Sequence, residues 1–165
     1  ICKIYVTVIR GTPMLVQLMI MGFVVFQNSR NFTMVGALAL GINSGAYVAE
    51  IIRGGLMSLD PGQMEAGRSL GLGYLPTMTF IVVPQAFKAI LPALGNEFIT
   101  LLKDTSLISA IAGKEVVYFA KAIGAKTYDY MFPLLIIAVM YLILVLIFTW
   151  LQGILERRLR ASDRR

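Results

Sequence analysis

Four hydrophobic runs, each about long enough to cross a lipid bilayer, constrain the fold of this chain more than any other feature. A bilayer core about 30 Å thick needs about 20 apolar residues in a helix, and the backbone polar groups must be satisfied within the spanning segment. We therefore expect an all-α integral membrane protein, a bundle of about four transmembrane helices. The runs cover residues 4–26, 32–52, 90–112 and 130–151.

The composition excludes several classes of protein. Hydrophobic residues make up 58% of the chain and charged residues 15%, which is too apolar for an ordinary soluble domain. The net charge of +6 comes from basic residues at the ends of the hydrophobic runs, not from a basic patch interleaved with stacking aromatics. The absence of histidine and the single cysteine exclude His-based triads, disulfides and Cys/His metal sites. We therefore predict no catalytic residues, no metal ligands and no nucleic-acid partner.

The sequence also lacks a phosphate-binding loop. Gly113 and Lys114 are followed by Glu115, and the upstream glycine that such a loop needs is missing. We therefore expect this chain to bind no cofactor, so that any ATP is hydrolysed by another chain.

A polar, glycine-rich insert, residues 54–88, separates the second and third runs, and its residues 65–84 read EAGRSLGLGYLPTMTFIVVP. Asp60 can cap a helix that begins just after it, and Gly71 can end that helix in a left-handed conformation. We expect a short helix, a sharp bend and a second helix started by Pro76. The alternative, on these residues alone, is an ordinary helical hairpin between two spans.

The spacing of the glutamate, the glycine and the last proline in this insert resembles the EAA loop of ATP-binding-cassette importer permeases. Gly67 replaces the second alanine of that motif, and Val83 stands where leucine is usual. In the family this loop is a cytoplasmic coupling helix that docks into a groove on the ATPase subunit. The resemblance implies that the residues coupled to the ATPase are Glu65, Ala66, Gly67, Leu70, Gly71 and Pro84.

A polar segment, RGTP, interrupts the first run at residues 10–13. Pro13 lacks a backbone donor and disfavours helical geometry at Thr12, so we expect a kink or an unwound turn. The alternative is a cytoplasmic amphipathic lead-in followed by a short span.

The second run contains GINSGAYVAE. Asn43, Tyr47 and Glu50 share a helical stripe, and Ser44 lies one residue aside. Intramembrane polar groups usually face the interior of a bundle, so we favour a pore-facing role for the first two and Ser44 over plain hydrogen bonding between helices. Because Arg53 follows closely, we expect Glu50 in an ion pair near the cytoplasmic interface.

The third run holds three ionisable residues, Glu97, Lys103 and Asp104. Because exposing charged side chains to lipid is too costly, these residues should face protein or a water-filled path. The alternative is an internal salt-bridge network that only locks the bundle. Asp104 is the natural acceptor for a cation, while Asn43 and Ser44 can donate to a carboxylate.

Four segments, RGTPMLVQ, NSGAYVAE, the EAA-type loop and KDTSL, occur in the order found in one family. They resemble the membrane permease subunit of bacterial importers for polar amino acids, of the histidine, glutamine and arginine type. Three spans carry polar groups that lipid cannot satisfy. Together with the resemblance, these groups suggest that the amino acid passes Gln17, Asn43, Ser44, Tyr47 and Asp104.

The resemblance also implies an assembly in the bacterial plasma (inner) membrane. Two permease subunits, as a homodimer or heterodimer, would surround the path, with ATPase subunits carrying ATP and Mg inside and a solute-binding protein outside. The family usually has five spans, so residues 1–165 are expected to be one transmembrane domain that lacks its N-terminal part. The arginine-rich tail, residues 156–165, predicts a cytoplasmic C-terminus. Residues 113–129 are expected to form a short helix on the outer membrane surface, with its lysines facing outward.

Two other functions compete with this interpretation. A secondary transporter or channel fragment could use Glu97, Lys103 and Asp104 as an ion relay, but it predicts an inverted repeat, and none is visible. A membrane enzyme could use Glu97 or Asp104 as a catalytic carboxylate, but no further nucleophile or metal ligand accompanies them.

Overall fold

The computed structural model describes residues 1–162, and it contains helices and short connections with no strand in that range. Two π-helical segments and one 3₁₀ segment extend or join the α-helices. The α-helices are α1 (Cys2–Arg10), α2 (Met14–Ile20), α3 (Phe32–Met57), α4 (Gly62–Ser69), α5 (Tyr74–Thr77), α6 (Val83–Asp104), α7 (Val116–Thr127) and α8 (Met131–Ser162). The π-helical segments are Met21–Val25 after α2 and Met78–Val82 between α5 and α6, and the 3₁₀ segment is Thr105–Ile111 after α6.

Three helical runs of the described chain are long and apolar enough to cross a membrane: Phe32–Met57, Tyr74–Ile111 and Met131–Leu159. A fourth crossing would be the pair Cys2–Arg10 and Met14–Val25, which is bent by 106°. The bend lies where the sequence predicts it, because Pro13 cannot donate to the helix that precedes it. The predicted all-α membrane bundle is confirmed.

The second membrane-spanning run of that set begins much earlier than the sequence suggests. Helix begins at Tyr74, not near Ile90 and not at Pro76, and continues for 38 residues to Ile111. Pro84 is tolerated because it lies in the first turn of α6, directly after a π-helical segment. The second half of the insert is therefore continuous with the span, and only residues 58–73 connect α3 to it.

The buried core joins α2, α3 and the 3₁₀ segment. Leu18, Val35, Ala39 and Ile111 form one cluster in which each side chain is at most 5% exposed. A Cβ atom at Gly22 would lie 2.8 Å from Cγ2 of Ile111, so this glycine permits the close approach of the two segments. The segment that follows Asp104 is thereby fixed against the N-terminal half of the chain.

The connection between the 3₁₀ segment and α8 contains the short helix that the sequence predicts. Glu115 caps α7, and its carboxylate accepts hydrogen bonds from the backbone N–H groups of Val117 and Tyr118 at 2.8 and 2.7 Å. Lys121 donates from Nζ to Oγ of Ser109 at 3.2 Å, which ties α7 to the preceding segment.

The longest helix, α8, is the least covered by the rest of the chain. Only 6% of its most apolar window is buried, and that window has a mean hydropathy of 3.0. This is the pattern of a helix whose partners are lipid or other protein. The helix carries the first arginines of the predicted basic tail, Arg157 and Arg158, whereas Arg164 and Arg165 lie outside the described residues.

Candidate functional site

Gln17 satisfies the backbone at the break between α1 and α2. Its Nε2 donates to the carbonyl oxygens of Ile9 and Thr12 at 2.7 and 3.1 Å, and to Oγ1 of Thr12 at 2.7 Å. Its Oε1 accepts a hydrogen bond from Nδ2 of Asn43 at 3.0 Å. The break would otherwise leave carbonyl groups without donors at membrane depth, which is costly. Gln17 therefore stabilises the break and links it to α3.

The residue next to Asn43 connects α3 to α6. Oγ of Ser44 donates to Oε1 of Glu97 at 3.0 Å. Asn43 is 8% exposed, and Glu97 is half-buried. Two adjacent residues of α3 thus reach two different helices, so that Gln17, Asn43, Ser44 and Glu97 form one polar layer through the bundle.

A second polar group lies about one turn along α3. The guanidinium of Arg10 stands 5.3 Å from the centroid of the Tyr47 ring and 3.6 Å from Oε1 of Glu50, measured from Nη1. Nε of Arg53 donates to Oε2 of Glu50 at 2.9 Å. The predicted pair of Glu50 and Arg53 is confirmed, and Arg10 joins it.

A cavity of about 900 Å³ lies between α1 and α3 beside this group. Lys3, Arg10, Tyr47, Glu50 and Arg53 line it. Arg10 was predicted only as part of the RGTP segment, because its contact with α3 depends on the 106° bend.

Asp104 lies apart from these groups. It ends α6, seven residues beyond Glu97, which is about 10 Å along a helix. It is half-buried, and Lys103 is exposed. Among the described residues Lys103 makes no ion pair with Glu97 or Asp104. The internal salt-bridge network considered for these residues is therefore not formed.

The structure thus brings together only some of the residues proposed for the path. Gln17 and Asn43 are bonded to each other, Ser44 adjoins them, and Tyr47 lies one turn away. Asp104 is separate. Glu97 was treated as a buried charge but not as a site residue, and its bond to Ser44 makes it part of the same layer. The clue in the sequence was its position seven residues before Asp104, on the same helix face.

The connection between α3 and the long run contains the predicted helix and bend. Oδ1 of Asp60 accepts from the backbone N–H of Gly62 at 2.8 Å, so Asp60 bonds to the first residue of α4, and Pro61 directly precedes the helix. Gly71 has φ of +78°, the left-handed conformation that glycine adopts most readily. The N–H of Leu72 donates to the carbonyl of Gly67 at 3.0 Å and closes the end of α4.

Helix α4 packs tightly on α5 through its glycine. A Cβ atom at Gly67 would lie 2.4 Å from Cγ2 and 2.7 Å from Oγ1 of Thr77. Thr77 is fully buried, and its hydroxyl donates to the carbonyl of Gly73 at 2.9 Å. Position 67 is alanine in the family motif and glycine in this chain. The space that the alanine methyl group would take is occupied by the side chain of Thr77.

The opposite face of the connection is exposed and partly apolar. Leu70 is 77% and Leu75 73% exposed, and Glu65, Ala66 and Gly71 are exposed beside them. Pro84 is exposed in the first turn of α6. Of the residues proposed to couple to the ATPase, only Gly67 faces inward. Nothing within the described chain covers the two leucines.

A model of the family described as "Binding-protein-dependent transport system inner membrane component" matches residues 1–161. The arginine transport system permease protein ArtQ of Bacillus subtilis is 42% identical, over 99% of this chain and 76% of its own length. A putative glutamine transport system permease protein, GlnP of Rickettsia bellii, is 38% identical over 96% of this chain and 74% of its own length.

The L-cystine transport system permease protein TcyB of Bacillus subtilis is also 38% identical, over 95% of this chain. The crystal structure of an amino acid ABC transporter with histidines has a similar fold. It superposes with a TM-score of 0.88 and 46% sequence identity, over 94% of this chain and 74% of its own.

Proposed function

Because the chain belongs to the family of binding-protein-dependent transport system inner membrane components and is a permease subunit of an amino-acid ABC importer, we propose that its connection 58–73 is where an ATPase subunit docks. The chain is a transport subunit. Nothing in the comparisons supports the alternative of a secondary transporter or channel.

The exposed apolar tip of the connection carries this proposal. Leu70, in the connection, and Leu75, in the first turn of the run that begins at Tyr74, are each more than two thirds exposed. Burying a leucine side chain fully is worth about 1.5 to 3 kcal/mol, so two uncovered leucines favour association with a partner. Gly71 lies between them, and apart from its two chain neighbours no described residue has an atom within 4 Å of the position its Cβ would take. A partner backbone therefore has room to approach there.

The proposed docking also implies how the subunits of the importer are arranged and on which side of the membrane the C-terminus lies. The partner at this face would hold ATP and Mg and hydrolyse the ATP, and the C-terminus, next to Arg157 and Arg158, would lie on the same cytoplasmic side. A solute-binding protein would deliver the amino acid at the opposite side. A second permease subunit, identical or not, would complete the path within the lipid membrane.

The substrate path is proposed to run along the polar layer and on to Asp104. Asn43 gives one N–H to Gln17, which leaves its second N–H for a substrate carboxylate. The hydroxyl of Ser44 donates its hydrogen to Glu97. While that hydrogen bond is present, the oxygen of Ser44 can only accept a hydrogen bond, for example from a substrate ammonium. Glu97 and Asp104 supply the acidic groups that a polar amino acid with an ammonium needs, and Tyr47 borders the cavity.

A change of the exposed leucines tests the docking. The double variant Leu70→Asp/Leu75→Asp should reach the membrane in normal amount and lose co-purification of the ATPase, because charged side chains oppose burial. Tyr128→Asp is the matched control, since Tyr128 is 94% exposed at the far end of α7. Undiminished co-purification with the double variant would refute this docking surface.

A further inference from the structure

Helix α4 is attached to the long run Tyr74–Ile111 by a second contact besides Gly67. Nε2 of Gln85, in α6, donates to Oε1 of Gln63, in α4, at 2.9 Å. Both side chains are half-buried. Gln63 precedes Gly67 by one helical turn, whereas Gln85 follows Thr77 by eight residues, about 12 Å along a helix. Two contacts so separated fix the direction of α4 as well as its position.

The two contacts lie on either side of an irregular part of the run. Thr77 directly precedes the π-helical segment Met78–Val82, and Gln85 follows it. Pro84 has no N–H, so the helical hydrogen bonding is interrupted there as well. π-helical turns and prolines are the places at which helices bend. The regular helical hydrogen bonding of this run is therefore interrupted where α4 lies alongside it.

Helix α4 packs mainly on this run. Within the described chain α4 packs on α5 and on the π-helical segment, and no comparable packing joins it to α3. The run that receives α4 continues to Glu97 and Asp104. A movement of α4 therefore acts through packing on the segment that the two contacts bridge, whereas α3 is joined to α4 mainly by the chain 58–61.

We propose that the hydrogen bond between Gln63 and Gln85 makes α4 a splint across Met78–Val82, so that a displacement of α4 moves α6 instead of bending the π-helical segment. The two glutamines are positioning residues of the transport cycle. This rests on the docking proposed above, but it does not use the same side chains. Glu65, Ala66 and Leu70 face outward, whereas Gln63 and Gly67 face the run.

The test uses Gln63→Leu, Gln85→Leu and the double variant in the complete importer, reconstituted in lipid vesicles with its ATPase and its loaded binding protein. Leucine is similar in size to glutamine, but its apolar side chain cannot form a hydrogen bond. We expect the ATPase to co-purify as with the wild type and basal ATP hydrolysis to be kept. The amino acid transported per ATP should fall about fivefold, the effect of one net hydrogen bond. The double variant should be no worse than either single one, because both remove the same bond.

Two further variants separate the splint from a general loss of packing. Gln152→Leu is the control, because Nε2 of Gln152 donates from α8 to the carbonyl of Pro92 at 3.0 Å without touching α4. Gln63→Glu/Gln85→Lys should recover coupling through an ion pair at the same place. Normal coupling in either leucine variant, a loss equal to that of Gln152→Leu, or no recovery by the charged pair would overturn the splint. If the wild-type permease fails to bind the ATPase through the connection, the docking proposal fails instead.

Discussion

Gly67 and Thr77 are packed so closely that the glycine has no room for a methyl group: its Cβ would lie 2.4 Å from Cγ2 of the threonine. The backbone of α4 therefore lies directly on a fully buried side chain. Alanine at this position, as the family motif has it, is compatible only with a smaller residue at position 77 or with a shifted helix.

Gly67→Ala is expected to destabilise the connection by about 1 to 3 kcal/mol, the usual cost of overpacking. Thermal unfolding of the detergent-solubilised permease measures the stability, and co-purification of the ATPase measures the effect on docking. Gly67→Ala/Thr77→Ala removes the two nearest atoms and leaves Cβ of residue 77 at 3.1 Å, so it should recover most of the loss. An unaltered Gly67→Ala permease would contradict the close packing.

Gly71→Asp is expected to abolish transport and substrate-stimulated ATP hydrolysis while the permease still reaches the membrane. The φ of +78° disfavours any side chain, by about 1 to 2 kcal/mol, and the added carboxylate occupies the open surface that we assign to the ATPase. Tyr128→Asp is the matched control, because it adds the same carboxylate at an exposed residue that also has a positive φ, +58°, but lies outside the connection. Normal coupling in Gly71→Asp would refute the assignment.

Gln17→Leu should lower the stability of the permease by about 1 to 3 kcal/mol, because it leaves the carbonyls of Ile9 and Thr12 without their side-chain donor. The unfolding midpoint in detergent measures the loss. Gln27→Leu, at an exposed position between α2 and α3, should leave the midpoint unchanged. If Gln17→Leu were as stable as the wild type but transported poorly, the role of Gln17 would be contact with the substrate and not support of the break.

Asp104→Asn is expected to raise the half-saturating amino-acid concentration about ten- to a hundredfold, or to change the preferred amino acid, with basal ATP hydrolysis kept. Removing a bond to a charged group costs about 1.5 to 3 kcal/mol, which gives that range. Uptake by reconstituted vesicles measures it. A variant that transports normally but unfolds on mild heating would show that Asp104 serves the packing of the bundle.

The sequence was most informative where a residue type restricts the backbone. Pro13 places the break, and Gly71 places the left-handed end of α4, because each residue limits or permits particular dihedral angles. The family could also be inferred, since its motifs follow one another in order. The glycine-rich composition of residues 71–73 likewise marks a bend regardless of the helices that pack around it.

The start of the long run was predicted too late for a physical reason. The sequence predicts a separate helix started by Pro76 and a span that opens after Pro84 and Pro92. In the structure Pro84 lies in the first turn of α6 after a π-helical segment, and α6 continues through Pro92 in its interior. The hydrogen-bond partners of Gln17 and Glu97 could not be predicted from the sequence either. Helical spacing gives the face on which a side chain lies, but not which residue of a neighbouring helix meets it.

The continuity of the helical run from Tyr74 to Ile111, through its π-helical and 3₁₀ segments, has a thermodynamic consequence. If the ATPase binds at its first turns and the amino acid near Asp104, the two bound states share one element, and their free energies are linked. By reciprocity, any factor by which the bound amino acid changes the affinity for the ATPase must equal the factor by which the ATPase changes the affinity for the amino acid. The coupling of this permease is then measurable from either end of one helix, at equilibrium and without hydrolysis.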